Sequence, residues 1–86
     1  MHHPGIHLAK AIKKAGTTQA NVAYSIAVTR LTINQICNGK RAITANMALR
    51  FEAACLGRAE LWMKRQTDYD LHNARIFEKK IARIRF

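Results

Sequence analysis

The sequence is poor in residues that break helices and has no acid in its first half. Proline occurs once, at Pro4, and glycine four times in 86 residues. No strand-like alternation of apolar and polar residues is present, and no apolar run approaches the roughly 20 residues of a membrane span. These absences exclude a transmembrane chain and favour helices separated by single breakers.

The length and the composition describe one small domain. Hydrophobic residues make up 49% of the 86 positions, enough for a packed core that still leaves apolar surface for a dimer contact. The N-terminus has neither the cationic start nor the apolar segment of a secretory signal, so we expect a cytoplasmic protein. Cys37 and Cys55 fall in helical patterns, and we expect both as reduced thiols packed in the core.

The charge is large and unevenly distributed. The chain has 15 Lys and Arg against 5 Asp and Glu, a formal net charge of +10. Every acid lies at or beyond Glu52, whereas residues 1–51 carry seven bases: Lys10, Lys13, Lys14, Arg30, Lys40, Arg41 and Arg50. Such a charge points to nucleic acid, an anionic membrane surface or an acidic protein, and its distribution predicts that the N-terminal half meets a polyanion.

Apolar spacing and capping residues predict an all-α fold of five helices. They are expected over about 5–15, 18–25 and 30–37, then from Thr44 to the Gly57 stop, and from about Ala59 onward. Thr17 or Thr18 caps the second helix, and the third is capped by Thr29 and ended by Asn38-Gly39. In the fourth, one face carries Met47, Ala48, Phe51, Ala54 and Cys55.

The fifth helix carries a stripe that ends near a basic tail. Trp62, Gln66, Tyr69 and Ile76 recur at intervals of 4, 3 and 7, a stripe that can pack on the core or on a second copy of the chain. We predict a dimer interface at Trp62, Gln66 and Tyr69. Residues 76–86 form a basic tail or an extension of the helix, with Phe77, Ile81 and Ile84 at helical spacing.

Two short helices joined by a turn, the second opening with a capping Thr29, have the form of a DNA-reading helix-turn-helix. The segment 18–41, TQANVAYSIAVTRLTINQICNGKR, resembles that of phage-repressor-like (Xre-type) regulators. The matching positions are Gln19, Ala23, Val28 and Thr29, with Asn38-Gly39-Lys40 as a phosphate-contacting loop. Ala27 stands where the turn usually has Gly, and a positive φ there would store about 1 kcal/mol of strain.

The resemblance implies roles for the side chains of the third helix and its flanks. Arg30, Leu31 and Gln35 are expected at base edges, with Asn34 beside them in the base-contacting set. Arg suits guanine, Gln suits adenine and Leu suits the thymine methyl group. The expected phosphate contacts, which fix register without reading sequence, are Gln19, Thr29, Thr32, Asn38, Lys40 and Arg41.

Further segments resemble the HigA family of antitoxins. They are His3-Pro4-Gly5, Gly39–Thr44 followed by Met47–Arg50, and Trp62-x3-Gln66-x2-Tyr69-Asp70-Leu71, together spanning about residues 2–75. The resemblance implies a lambda-repressor-like domain over 1–75 that is homodimeric, needs no cofactor, and binds the palindromic operator of its own operon. It also implies a HigB-type toxin partner that cleaves messenger RNA. Ile6 replaces the family's usual acid, and Arg58-Ala59 replaces a Ser/Thr-Pro start, which weakens the fifth helix's N-terminus.

Other chemistry has little support in the sequence. We interpret His2, His3 and His7 as exposed polar residues rather than metal ligands, and Asp68, Asp70 and His72 as a solvated or interface face. No Ser-His-Asp set, glycine-rich phosphate loop or carboxylate pair is present, so we expect no enzyme.

Three alternatives stay open. The first is a stand-alone or phage-type repressor without a toxin, which would share every DNA-binding residue. The second is a basic RNA- or membrane-binding protein, in which Trp62 and Tyr69 stack on bases or the tail lies on anionic lipid. The third concerns the tail alone, which can contact the DNA backbone, contact the toxin or stay solvated.

Overall fold

The computed structural model describes the backbone of residues 1–81 and the side chains of residues 1–78. Within residues 1–81 the chain forms five helices and no strand, which confirms the predicted all-α class. The helices are α1 (Gly5–Lys14), α2 (Gln19–Ser25), α3 (Arg30–Cys37), α4 (Ala45–Ala53) and α5 (Ala59–Ile81). None of the helices in this range is long and apolar enough to cross a bilayer.

Threonine hydroxyls cap the N-termini of three of the helices. Thr18 accepts from the Asn21 N–H at 3.1 Å, at the start of α2. Thr29 and Thr44 do the same at 3.2 Å for α3 and α4. Each threonine backbone is extended, the conformation that an N-cap requires, so the predicted capping residues are confirmed.

The first four helices share one way of ending. The residue after each C-cap is left-handed, with φ of 69° at Gly16, 57° at Ala27, 74° at Gly39 and 60° at Cys55. The next backbone N–H then bonds back across the last turn, as Val28 does to the Ala23 carbonyl at 3.0 Å. This pattern is the Schellman motif, which satisfies carbonyls that the helix leaves unpaired. The positive φ considered for Ala27 is therefore confirmed.

Cys55 is the clearest departure from the expected core. The pattern predicts it on the buried face of the fourth helix, but α4 ends at Ala53 and Cys55 is exposed. Its N–H donates to the Glu52 carbonyl at 3.0 Å as part of the C-terminal motif, so its side chain no longer follows the helical face. The core prediction is wrong for Cys55. Cys37 is half-buried, and burial raises the pKa of its thiol.

The core joins the helix-turn-helix to α5. Its largest fully buried side chains are Leu8, Ile33, Ile36, Ile43, Phe51 and Trp62. The rings of Phe51 and Trp62 lie 5.4 Å apart, and the indole N–H of Trp62 donates to the Leu56 carbonyl at 3.2 Å. Helices α2 and α3 pack on each other, α1 packs on α3, and α4 packs on α5. Helix α3 is thus packed on both α1 and α2.

Trp62 and Gln66 lie inside this core, at 1% and 4% exposure. The Gln66 side chain accepts from the Ile43 N–H at 2.8 Å and donates to the Asp70 carboxylate at 2.9 Å. Because their own chain covers both side chains, the dimer-interface expectation does not hold for Trp62 and Gln66. Tyr69 is half-buried, with its ring 4.9 Å from the His3 ring.

The predicted stripe continues along α5 past the end of the core. This helix has 23 residues, about 35 Å at 1.5 Å per residue. Ile76 and Phe77 lie on its core-facing side but beyond the other helices, and they are 54% and 63% exposed. Residues 76–81 therefore extend the helix, whereas the expectations for 82–86, including Ile84, lie outside the described residues.

A carboxylate from the neighbouring helix α4 caps the N-terminus of α5. The Ala59 N–H donates to Glu52 Oε1 at 3.1 Å, across seven residues of sequence. A carboxylate at a helix N-terminus satisfies an unpaired N–H and favours the helix dipole. Glu52 thus takes the part of the Ser/Thr cap that this sequence lacks, and the expected weak start of α5 is corrected.

Candidate nucleic-acid interface

The turn between α2 and α3 is fixed from two sides. Within it, Ala27 is left-handed and the Val28 N–H closes on the Ala23 carbonyl. From α4, the Arg50 guanidinium donates to the carbonyl of Ile26, the C-cap of α2. A cation at a helix C-terminus is favoured by the dipole, so Arg50 stabilises the turn that sets the angle between the two helices. No motif in the sequence indicates this role of Arg50.

The exposed side of α3 carries three of the four predicted base-contacting residues together. Arg30, Leu31 and Asn34 line one shallow depression on the surface. Leu31 is 62% exposed, so its apolar side chain is accessible at this surface. On the other side of the helix Ile33 and Ile36 are fully buried, which holds this exposed side outward.

The predicted phosphate contacts flank this surface and are linked to it. Asn34 Nδ2 donates to Gln19 Oε1 at 3.4 Å, and Asn38 Nδ2 donates to Asn34 Oδ1 at 3.1 Å. The hydroxyls of Thr29 and Thr32 lie 3.0 Å apart at the start of α3. These amide and hydroxyl groups are arranged before any ligand arrives, which lowers the ordering cost of binding.

Gln35 lies at the edge of the surface and is half-buried. The Arg41 Nε–H donates to Gln35 Oε1 at 3.0 Å. Lys40 and Arg41 are both exposed, in the loop that follows the Gly39 turn. The structure therefore brings a predicted base reader and a predicted phosphate contact into one hydrogen-bonded pair. All these side chains belong to the acid-free half of the sequence, so the surface is cationic.

The N-terminal segment packs on the end of α3. The Gly5 N–H donates to His3 Nδ1 at 2.9 Å. A Cβ at Gly5 would lie 1.7 Å from the Ile36 carbonyl oxygen, so only glycine allows this approach. His3 is half-buried, and burial lowers the pKa of its imidazole, with a smaller opposing effect of Asp70. The expectation that His3 is simply exposed is corrected.

Candidate metal ligands do not converge in the part of the chain that the structure describes. No group of three or more His, Cys, Asp or Glu side chains capable of holding a metal occurs there. Asp68 pairs with Lys64 at 2.7 Å, and Asp70 accepts from Gln66. Both acids of the predicted solvated or interface face thus have partners within α5.

The chain has curated relatives in Dichelobacter nodosus. It is 34% identical over 70 residues to virulence-associated protein A', covering 80% of this chain and 61% of that protein. It is 37% identical over 73 residues to virulence-associated protein I, covering 84% of this chain and 68% of that protein. The chain thus spans less than two thirds of the length of protein A'. No family model matches the sequence.

Solved structures share the whole fold. An antidote protein of a plasmid maintenance system from Nostoc punctiforme superposes with a TM-score of 0.85 at 30% identity, over 95% of this chain and 90% of that one. The antitoxin HigA of Pseudomonas aeruginosa, solved with the higBA promoter, gives 0.86 at 29% identity, over 94% and 89%. The chain therefore belongs to the HigA-like family of helix-turn-helix antitoxins, as the resemblance of its motifs predicted.

Proposed function

We propose that the protein is a sequence-specific DNA-binding antitoxin of the cytoplasm that represses its own operon and neutralises a HigB-type toxin. The observation that supports this most is the outward side of α3, where Arg30, Leu31 and Asn34 stand together on a helix anchored by Ile33 and Ile36. Such a helix fits the major groove, and its side chains offer both donors and an apolar group to base edges.

Two kinds of contact divide the work on DNA. Arg30, Leu31, Asn34 and Gln35 read bases, while the polar groups around α3 hold phosphates on either side. The phosphate set is Gln19, Thr29, Thr32, Asn38, Lys40 and Arg41. Phosphate contacts give salt-dependent affinity for any duplex, whereas base contacts give about 1–3 kcal/mol of discrimination each.

A palindromic operator requires two copies of α3 about 34 Å apart, and hence a homodimer. Trp62 and Gln66 are buried in the core of their own chain, so the dimer contact needs other residues. The projecting end of α5 offers Ile76 and Phe77, which continue the buried side of the helix into solvent. We place the dimer contact there, with Tyr69 at its inner margin.

Repression of the operon is tested with a reporter gene under the DNA upstream of this gene. Expression of the wild-type protein should lower reporter output, whereas Arg30→Ala should restore it at equal protein level. Lys13→Ala is the matched control, because it removes one exposed charge from α1 and leaves α3 intact. Equal repression by all three proteins, or by none, would contradict repression through α3.

Neutralisation of a toxin is tested with the open reading frame adjacent to this gene. Its expression alone should arrest growth, and co-expression of this protein should relieve the arrest and give a complex that co-purifies. A harmless neighbour, or toxicity that this protein does not relieve, would contradict the antitoxin role. The reporter result would then support a stand-alone repressor, whose DNA contacts are the same.

A further inference from the structure

Arg41 and Gln35 form a pair that neither predicted role explains. Arg41 follows the end of α3 by four residues, and its Nε–H donates to Gln35 Oε1 at 3.0 Å. A group that only neutralises phosphate has no need of a partner on the reading helix. Here one nitrogen of the guanidinium is engaged with a side chain whose amide is expected at a base edge.

The bond decides which way the Gln35 amide faces. A glutamine amide has an acceptor end and a donor end of nearly the same shape, and an unrestrained side chain presents either one. Arg has donors only, so its partner in this pair must be the oxygen. With Oε1 held toward Arg41, the Nε2 donor and the second lone pair of Oε1 stay available.

We propose that Arg41 is a positioning residue that fixes the Gln35 amide for reading an adenine. This deepens the proposed function and rests on it. An Nε2 donor beside an Oε1 acceptor matches the N7 acceptor and the N6 donor of adenine in the major groove. The remaining guanidinium nitrogens can still donate to a phosphate, so positioning is added to the phosphate role of Arg41.

Lys40 provides a matched control from the same loop. It is exposed, like Arg41, and has the same charge. Its contact with Gln35 is through the backbone, where its N–H donates to the Gln35 carbonyl at 2.8 Å, a bond that substitution to alanine keeps. Lys40→Ala and Arg41→Ala therefore remove equal charge, but Arg41→Ala alone releases the Gln35 amide.

The test compares base preferences at each operator position. A duplex is selected with the wild-type protein, and every single base-pair change is then measured for the wild type, Gln35→Ala, Arg41→Ala, the double variant and Lys40→Ala. Gln35→Ala should reduce the preference for adenine at one base pair. Arg41→Ala should reduce the preference at the same base pair. The effects of the two substitutions on that preference should be coupled, by roughly 2- to 150-fold.

The remaining variants separate positioning from charge. At that base pair the double variant should lose no more of the base preference than Gln35→Ala does. Lys40→Ala should lower the affinity for all duplexes and keep every base preference. The inference is overturned if Arg41→Ala keeps the wild-type preference everywhere and weakens all duplexes alike, as Lys40→Ala does. A wild-type protein that selects no sequence would overturn the proposed function and the inference with it.

Discussion

Gln66 on α5 binds the backbone of Ile43, the residue that leads from the loop after α3 towards α4. The Ile43 N–H donates to Gln66 Oε1 at 2.8 Å, in a site where the glutamine is 4% exposed. The loop that carries Lys40 and Arg41 is thereby tied to the long C-terminal helix. A buried N–H has no water to replace this partner, so the bond holds the loop in place.

Substitution Gln66→Leu should therefore be costly despite its similar size. It leaves the Ile43 N–H buried without an acceptor, and we expect a loss of about 1–3 kcal/mol in the free energy of unfolding. Urea unfolding measures the loss. Thr67→Leu, at an exposed neighbouring position, is the control and should change stability by no more than about 0.5 kcal/mol. Equal stability of Gln66→Leu and the wild type would show that the bond contributes nothing.

Replacing Ala27 with glycine should stabilise the protein. Its φ of 57° places a Cβ in the left-handed region, which costs an L-residue about 1–2 kcal/mol and glycine much less. We predict that Ala27→Gly raises the melting temperature and the free energy of unfolding by about 1 kcal/mol, with DNA affinity kept.

Ala23→Gly tests whether that gain comes from the backbone conformation. Ala23 lies four residues earlier, inside α2, where glycine costs about 0.5–1 kcal/mol and where a buried methyl group is also lost. The two substitutions should therefore change stability in opposite directions. Destabilisation by both would contradict strain at Ala27.

Stability should depend on the protonation of His3. Burial lowers the pKa of His3 from its ordinary value of 6.5, so just below that pH the unfolded chain binds more protons than the folded one. The stabilising contribution is therefore present above pH 6.5 and is lost as the pH falls through the folded pKa. Protonation also removes the Nδ1 acceptor that the Gly5 N–H uses. Urea unfolding at pH 7 and pH 5 measures the difference.

His3→Asn separates this effect from that of His7, whose pKa is lowered chiefly by burial as well. Asparagine places an acceptor oxygen where His3 has Nδ1, and it does not titrate. The variant should lose part of the pH dependence between pH 7 and pH 5 and keep the part that His7 contributes. An unchanged pH dependence of stability would show that His3 does not contribute to it.

Substitutions at the C-terminal end of α5 should disrupt the proposed dimer. Ile76→Ser and Phe77→Ser remove apolar groups that are exposed in the single chain, so both variants should become monomeric and stay helical. Leu71→Ser is the control, because Leu71 is exposed on a different side of the helix. Light scattering gives the mass, and circular dichroism gives the helix content. A wild-type mass in both end variants would place the contact elsewhere.

The sequence predicts the fold well where local chemistry decides it. The caps at Thr18, Thr29 and Thr44 are short-range interactions between a hydroxyl and an N–H three residues ahead. The spacing of Ile33 and Ile36 likewise identifies the buried side of α3 from the sequence. The helices and the exposed side of α3 therefore follow from the order of residues.

What escapes prediction depends on contacts distant in sequence. The Glu52 carboxylate reaches Ala59, the Arg50 guanidinium reaches Ile26, and the Gln66 amide reaches Ile43. No spacing rule marks such pairs. The stripe on α5 shows the same limit, since the periodicity of Trp62 and Gln66 identifies a buried side but does not say whether the chain or a second copy covers it.

The most direct test of the account is the affinity of the protein for the DNA upstream of its gene, compared with a scrambled duplex of equal length at one fixed salt concentration. We predict tighter binding to the upstream duplex, with Arg30→Ala losing about 1–3 kcal/mol there and little on the scrambled DNA. Equal wild-type affinity for both duplexes, or an equal loss on both from Arg30→Ala, would contradict base reading by α3.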